Sequence, residues 1–300
     1  MLTNTTVAWR RVGRTMDGRM KKVTFGVVSC CLPLRLAQTV AFSALPKTKE
    51  PLNISRSVLV IRHGETDWNN QRRVQGTTDI PLNERGINQA SACAGGIIST
   101  LHSTLENGHS KTPLTVYTSC LKRARDTGFA IARSIQAELC TDSRLNEWDL
   151  GNLEGMTKAD AAAKCSGDWD VFKQWCNGAQ ISYTDAAKHI SGNGESMDDV
   201  RQRSVACIEN LIEQAPDDES TIVVVTHGGV LGQLLRHATM QNKFSGNCHF
   251  VYRKAQNACI SHFTVSMTES GGKWDIVTWA DTSHLVGDAK PISAQYGSTA

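Results

Sequence analysis

Three short apolar runs constrain this chain more than any other feature of it. Ser57–Ile61 (SVLVI), Leu114–Thr118 (LTVYT) and Thr221–Thr226 (TIVVVT) are continuous rather than alternating. Strands that read so are buried on both faces, as in a parallel sheet covered by helices on either side. Helical periodicity fills the intervals. Leu121, Ala124, Gly128, Ile131 and Ile135 make one apolar stripe, and Ser119 stands where an N-cap would. A second helix is expected from about Ser196 to Ala215, with Met197, Val200, Ile208, Leu211 and Ile212 inward. A third follows Gly229, with Val230, Leu231, Leu234 and Leu235 inward. Ile260–Val265 and Trp274–Trp279, joined across Glu269–Lys273, read as a hairpin with Gly271 and Gly272 in its turn. The expected fold is α/β: a three-layer α/β/α sandwich with a mostly parallel central sheet and a late antiparallel hairpin.

With 40% hydrophobic and 20% charged residues, 24 Gly and 7 Pro, the chain is neither disordered nor collagen-like. An α/β domain of about 200–250 residues can form one unit. The expected divisions are a targeting extension over 1–52, a catalytic-size domain over 53–286 and a polar tail over 287–300. Ten cysteines suggest disulfides until their spacing is read. There is no CxxC pair, and Cys93, Cys140, Cys207 and Cys259 fall in apolar or helix-like runs. That predicts free, buried thiols in a reducing compartment.

The net charge of +3 divides unevenly. Residues 1–50 hold nine Lys/Arg and two Asp/Glu, a charge of +7; the other 250 hold 23 basic and 27 acidic residues, a charge of −4. A slightly acidic body lacks the basic face that general nucleic-acid binding needs. A phosphate bound there must be met by a few aimed cations. No nucleic-acid partner is expected, and no membrane partner for the mature protein; a homo-oligomer remains open.

The extension carries Arg10, Arg11, Arg14, Arg19, Lys21 and Lys22 against Asp17. Val23–Leu34 is apolar but short of the roughly 20 residues that span a bilayer. A basic start, a short apolar run and then small residues follow the order of a signal peptide. Val40–Pro46 (VAFSALP) then resembles the cleavage site and Phe-led start of the bipartite plastid presequences of algae with complex plastids. A plastid location is expected, with a mitochondrial presequence or a cytoplasmic protein as alternatives.

Chemistry-bearing residues gather where strands end. The first strand runs into Arg62-His63-Gly64-Glu65-Thr66, and the Thr221–Thr226 strand into His227-Gly228-Gly229. In open α/β sheets, ligands bind beyond the carboxyl ends of strands. Gly64 would let a phosphate approach the backbone. Arg123 lies in the first turn after a third strand. Two arginines and two histidines around one point make an oxyanion cradle.

These residues, in order, resemble the histidine phosphatase superfamily, the phosphoglycerate mutase-like proteins. Arg62 to Thr66, with Trp68 and Asn69, is similar to that family's opening motif. Gln75-Gly76, Asp79, Pro81-Leu82, Gly86 and Gln89-Ala90 resemble its next segment. Ser119, Leu121, Arg123-Ala124 and Thr127 match the segment with its second arginine. Leu145-Asn146-Glu147, Gly151 and Glu154-Gly155 resemble its acid-bearing loop. Gly194-Glu195-Ser196, Arg203, Thr226-His227-Gly228-Gly229, Asn257 and Asp281-Thr282-Ser283-His284-Leu285 complete the likeness, which spans about residues 55–286.

The resemblance implies a phosphohistidine mechanism. His63 would be the nucleophile, neutral at its attacking nitrogen and oriented through the other. Arg62, Arg123 and His227 would hold the phosphoryl oxygens. Glu147 would protonate the leaving oxygen and then activate water, its pKa raised by nearby phosphate charge. Asn69, Gln75 and Gly228 would contact substrate. Neither a metal nor another cofactor is called for. Cys120 departs from the family pattern; it reads as a tolerated substitution, or as a thiol whose oxidation disturbs the site.

The expected activity is hydrolysis of a small anionic phosphomonoester, as in the single-domain metabolite phosphatases. A phosphoglycerate mutase needs extra cations and a covering insertion. After Gly155 the chain offers scattered lysines (Lys158, Lys164, Lys173, Lys188) and no arginine before Arg201. A non-catalytic binding protein on the same fold is the remaining alternative, but it would have no need for both nucleophile and acid.

Overall fold

The computed structural model describes residues 54–106, 115–176, 186–216, 221–241 and 255–290. The expected extension over 1–52, with its plastid reading, lies outside the described residues, as do Leu114 and the tail beyond residue 290.

The chain opens with β1 (Ser55–Arg62), a one-turn helix α1 (Asp67–Asn70) and the long α2 (Glu84–Glu106). Next come β2 (Thr115–Thr118), α3 (Lys122–Ile135) and β3 (Glu138–Thr141), then α4 (Lys158–Lys164) and α5 (Ser166–Cys176). The last part contains α6 (Met197–Gln214), β4 (Thr221–Thr226), α7 (Gly228–Gln241), β5 (Ile260–Thr268) and β6 (Gly271–Asp281). The six strands form one sheet in the order β3-β2-β4-β1-β5-β6. The β3, β2, β4 and β1 strands are parallel; β5 runs antiparallel to β1, and β6 to β5. The expected three-layer sandwich with a late hairpin is the observed fold. The hairpin turn is tighter than expected, with Gly271 and Gly272 already in β6.

The continuous apolar runs are explained by burial on two sides. Val58 and Val60 of β1, with Ile222 and Val224 of β4, face a core built with α6 and α7. Leu59 and Ile61, with Val223 and Val225, face a second core built with α2 and α3. Helix α6 begins in a capping box, in which the Ser196 and Asp199 side chains each bond the other's backbone N–H. Its inward residues include all five expected. At the end of the described chain, a 3-10 turn over Gly287–Ala289 buries Ala289 in the α2–α3 core, so ordered structure runs past residue 286.

Of the cysteines, Cys93, Cys207 and Cys259 are buried free thiols. Cys140 is exposed, against expectation. It lies on β3, the edge strand, where only one neighbour covers the backbone; Leu139 packs on the α2–α3 core, but Cys140 points to the other, uncovered face.

Strand register positions the site. Arg62 of β1 lies beside Thr226 of β4, and Thr118 of β2 beside Val225. The residues that leave these strands, His63, His227 and Ser119, therefore emerge along one edge of the sheet. Because β5 is antiparallel and Ile260 pairs with Ile61, the segment before β5 reaches the same edge.

Candidate active site

His63 is 2% exposed, and its Nδ1 lies 2.6 Å from the Gly64 carbonyl oxygen. A carbonyl can only accept, so Nδ1 carries the proton and Nε2 keeps its lone pair. Burial, then the charges of Arg123 and Arg62, hold the His63 pKa well below that of a free imidazole. The ring is neutral at physiological pH, with one nitrogen ready to attack an electrophile.

The loop around it is close-packed. The Gly64 N–H donates to Thr127 Oγ1 at 3.1 Å, and that hydroxyl donates to the Arg123 carbonyl at 2.8 Å. A Cβ on Gly64 would collide with the Gly86 carbonyl at the start of α2. The glycine thus serves close packing of the nucleophile loop on α2, a need the sequence did not reveal.

Arg123 is fully buried. Its Nη1 and Nη2 donate to the Thr78 and Gly76 carbonyls at 2.8 and 2.7 Å. Desolvation is the main reason its pKa falls to about 10, so it stays charged at neutral pH. The loop that grips it is held by the Glu154 carboxylate, which accepts the Thr77 and Thr78 N–H groups at 2.7 and 2.9 Å. Arg62 donates through Nη1 to the Ala255 carbonyl at 2.7 Å. Both arginines keep a buried Nε–H with no acceptor among the described residues. Buried donors are nearly always paired, so two unpaired guanidinium donors beside one histidine point to an anion as their partner.

Glu147 faces the same space. Its Oε1 accepts the Trp148 N–H at 2.9 Å and its Oε2 the Gly229 N–H at 3.1 Å. A Cβ on Gly229 would strike this carboxylate, which explains the glycine. The backbone of the acid loop is clamped by Arg203. Its guanidinium donates to the Arg144, Asn146 and Glu147 carbonyls at 2.8, 2.7 and 3.0 Å and pairs with Glu195 at 2.6 Å. The resemblance marked Glu154, Glu195 and Arg203 as family positions; their work as clamps became visible only in three dimensions.

A cavity of about 160 Å³ opens at this edge of the sheet. Seven of the eight expected site residues line it: Arg62, His63, Asn69, Gln75, Arg123, Glu147 and Gly228. His227 does not. It is fully buried behind His63, with the two ring centroids 5.1 Å apart. Its Nε2 lies 2.7 Å from Ser119 Oγ. That hydroxyl gives its one proton to Asn146 Oδ1 at 2.8 Å, so Nε2 is the donor to it. Ser119 therefore does not cap α3 in the expected way. The N-cap is Leu121, which makes no side-chain bond; the Ser119 hydroxyl accepts the Leu121 N–H at 3.1 Å and joins His227 to Asn146 of the acid loop. Cys120 is exposed and absent from the cavity wall. Among the described residues, no group of three or more His, Cys, Asp or Glu side chains converges to hold a metal ion.

Asn257, which the resemblance marked as a family position without a role, is a site residue. It is buried and lines the cavity. Its Nδ2 donates to the His63 carbonyl (3.1 Å), the Gly64 carbonyl (3.3 Å) and Asn69 Oδ1 (3.0 Å). One amide thus fixes the carbonyl that sets the His63 tautomer and engages the Asn69 side-chain oxygen. Asn257→Ala is expected to lower kcat about tenfold to a hundredfold through misaligned attack, with KM little changed. Wild-type kcat in that variant would remove Asn257 from the positioning machinery.

The buried imidazoles also predict acid lability. Burial lowers the pKa of His63, His227, His237, His262 and His284, with His237 at about 4. In the unfolded chain these groups take protons below about pH 6.5, while the folded protein resists them. Stability is therefore full above pH 6.5 and is lost as pH falls. Each of His63 and His227 contributes up to about 1.4 kcal/mol per pH unit. Melting scans between pH 6.5 and 5.5 should show Tm falling by about 5–10 °C. A flat Tm over that unit would contradict the assignment of neutral buried rings.

A neutral imidazole at a strand end, flanked by two guanidinium groups with unpaired donors and faced by a carboxylate, is an arrangement for moving a phosphoryl group. The sequence profile of the Histidine phosphatase superfamily (branch 1) matches residues 58–282, and the chain belongs to that family. It is 31% identical to a metal-independent phosphoserine phosphatase of Arabidopsis thaliana, over 78% of this chain and 89% of that protein. It is equally identical to phosphoglycerate mutase-like protein 4 of Arabidopsis thaliana, over 76% and 86%. Among solved structures, a mycobacterial glucosyl-3-phosphoglycerate phosphatase in complex with VO3 superposes with a TM-score of 0.58 at 27% identity. The match covers 76% of this chain and all of that one.

Proposed function

We propose that this chain hydrolyses a small anionic phosphomonoester through a phosphohistidine formed on His63. Its family, and the phosphatases among its relatives, make it a phosphoric monoester hydrolase. The observation that carries the finer reading is the 2.6 Å contact between His63 Nδ1 and the Gly64 carbonyl, which leaves Nε2 as the nucleophile.

The Nε2 lone pair attacks phosphorus and the bond to the leaving oxygen breaks. Glu147 gives that oxygen a proton. Water then attacks the phosphohistidine, Glu147 takes its proton, and the P–N bond breaks to release phosphate and restore the imidazole. The free Nε–H groups of Arg62 and Arg123 meet the phosphoryl oxygens, and charge on those oxygens is neutralised as transfer proceeds. His227, off the cavity wall, holds Ser119 rather than a phosphoryl oxygen. Asn69, Gln75 and Gly228 contact the substrate.

Phosphate release by the full chain, without added metal, from a panel of phosphomonoesters tests this. An isomerisation assay on 3-phosphoglycerate with its bisphosphate runs in parallel. Release from one or a few substrates supports the phosphatase; isomerisation with little release would replace it by a mutase. Silence in both would leave a binding protein. The N-terminal extension supports a plastid location, and a fluorescent fusion of residues 1–55 that stayed cytosolic would remove it.

A further inference from the structure

The mouth of the cavity carries more positive charge than one phosphate needs. Arg62 and Arg123 meet the phosphoryl group from the floor. Arg72, Arg73 and Lys158, all exposed, line the rim, and Glu147 is the one acid among the described residues of the wall. The body of the chain is net acidic, so a run of cations at this one opening is a local feature.

Backbone pairing puts these cations side by side. Arg73 bridges to Thr157, the Val74 N–H donates to the Met156 carbonyl at 3.0 Å, and Gly155 N–H to the Val74 carbonyl at 2.9 Å. The turn after α1 is thereby laced to the segment that enters α4, whose first residue is Lys158. Arg73 helps to hold this lacing, since its Nη1 donates to the Gly155 carbonyl at 2.8 Å. Arg72 stands in the left-handed region, with φ of 55°, just past the end of α1. Glycine suits that position best. An arginine there, on the wall of a cavity, is a strained choice that calls for a role of its side chain.

We propose that Arg72 and Lys158 form a subsite for a second anionic group, a carboxylate on the alcohol portion of the phosphomonoester. This rests on the phosphatase reading of the cavity and adds the feature by which a substrate is chosen. The phosphoryl group is held at His63, and the carboxylate reaches the rim a few bonds away. Apolar Val74, Leu150 and Phe172 in the wall limit water around both charges.

Matched substrates that differ only in the carboxylate test the subsite. These are O-phosphoserine against O-phosphoethanolamine, and 3-phosphoglycerate against glycerol 3-phosphate, with p-nitrophenyl phosphate as a substrate that has no second anion. In the full-length protein, Arg72→Gly relieves the left-handed strain and Lys158→Ala touches an exposed side chain, so both variants should fold. The wild type is expected to prefer the carboxylated member of each pair. Each variant should lose about tenfold in kcat/KM on that member, mostly through KM. Rates on the other substrates should stay within about twofold. Equal wild-type rates within each pair, or equal losses on both members in the variants, would overturn the subsite while leaving the phosphatase in place. Absence of phosphate release from every substrate would instead bring down the phosphatase reading and the subsite with it.

Discussion

His63→Ala should abolish phosphate release, by about 10⁴-fold or more, while the protein stays folded. The size of the effect follows from the position of the ring. Its Nε2 is the one unprotonated imidazole nitrogen among the described residues of the cavity wall, and Arg62 and Arg123 are arranged around the group it would carry. His227 cannot substitute, because it is buried behind His63 and donates its proton to Ser119. The variant removes a buried ring and its bond to the Gly64 carbonyl but no bond between backbone groups, since the His63 N–H to Thr226 carbonyl contact at 2.9 Å does not involve the side chain. Circular dichroism should be unchanged, and acid-quenched protein should lose the phosphohistidine signal seen in the wild type. Turnover within tenfold of wild type would end the nucleophile assignment.

Glu147→Gln should divide substrates by their leaving groups. With alkyl phosphomonoesters, whose departing alkoxide needs a proton, the loss should be about 10²–10³-fold. With p-nitrophenyl phosphate, whose leaving group departs without one, it should stay within about tenfold. The substitution is nearly isosteric, and the Arg203 clamp on the surrounding backbone remains. One local cost is expected. Both Glu147 oxygens accept backbone N–H groups, from Trp148 and Gly229, and an amide can satisfy only one of them. That cost falls on every substrate alike and does not produce the split. Equal losses for both substrate types would remove the general-acid role and leave Glu147 a structural residue.

The relation between sequence and site is uneven in an instructive way. Continuous apolar runs and a helical stripe report which faces of an element are buried, and burial on both faces of β1 and β4 follows from those runs alone. Strand ends then place Arg62, His63 and His227 in one region, because parallel strands share a carboxyl edge. Cys140 was misread because a short apolar run looks the same at the edge of a sheet as in its middle; only strand order tells them apart. Ser119 was misread because a serine near a helix start satisfies the N-cap pattern, while the helix itself begins after Leu121. His227 was expected on the cavity wall with His63, yet the two rings lie one behind the other.

By itself the sequence determined the fold class, the strand edge that holds the site, and the residue types gathered there. These properties depend on periodicity and on short segments, whose energetics are local. Only the tertiary structure decided which nitrogen of His63 is free, what holds Arg123 and Glu147 in place, and how the cations of the rim come together. Each of those depends on contacts between distant segments. Asn257 reaches the His63 carbonyl across the β1–β5 pairing, Arg203 reaches the acid loop from α6, and Thr157 meets Arg73 from beyond β3. A hydrogen bond is directional and fails within a few tenths of an ångström. Its partners are therefore set by the register and crossing of packed elements, which no local pattern encodes.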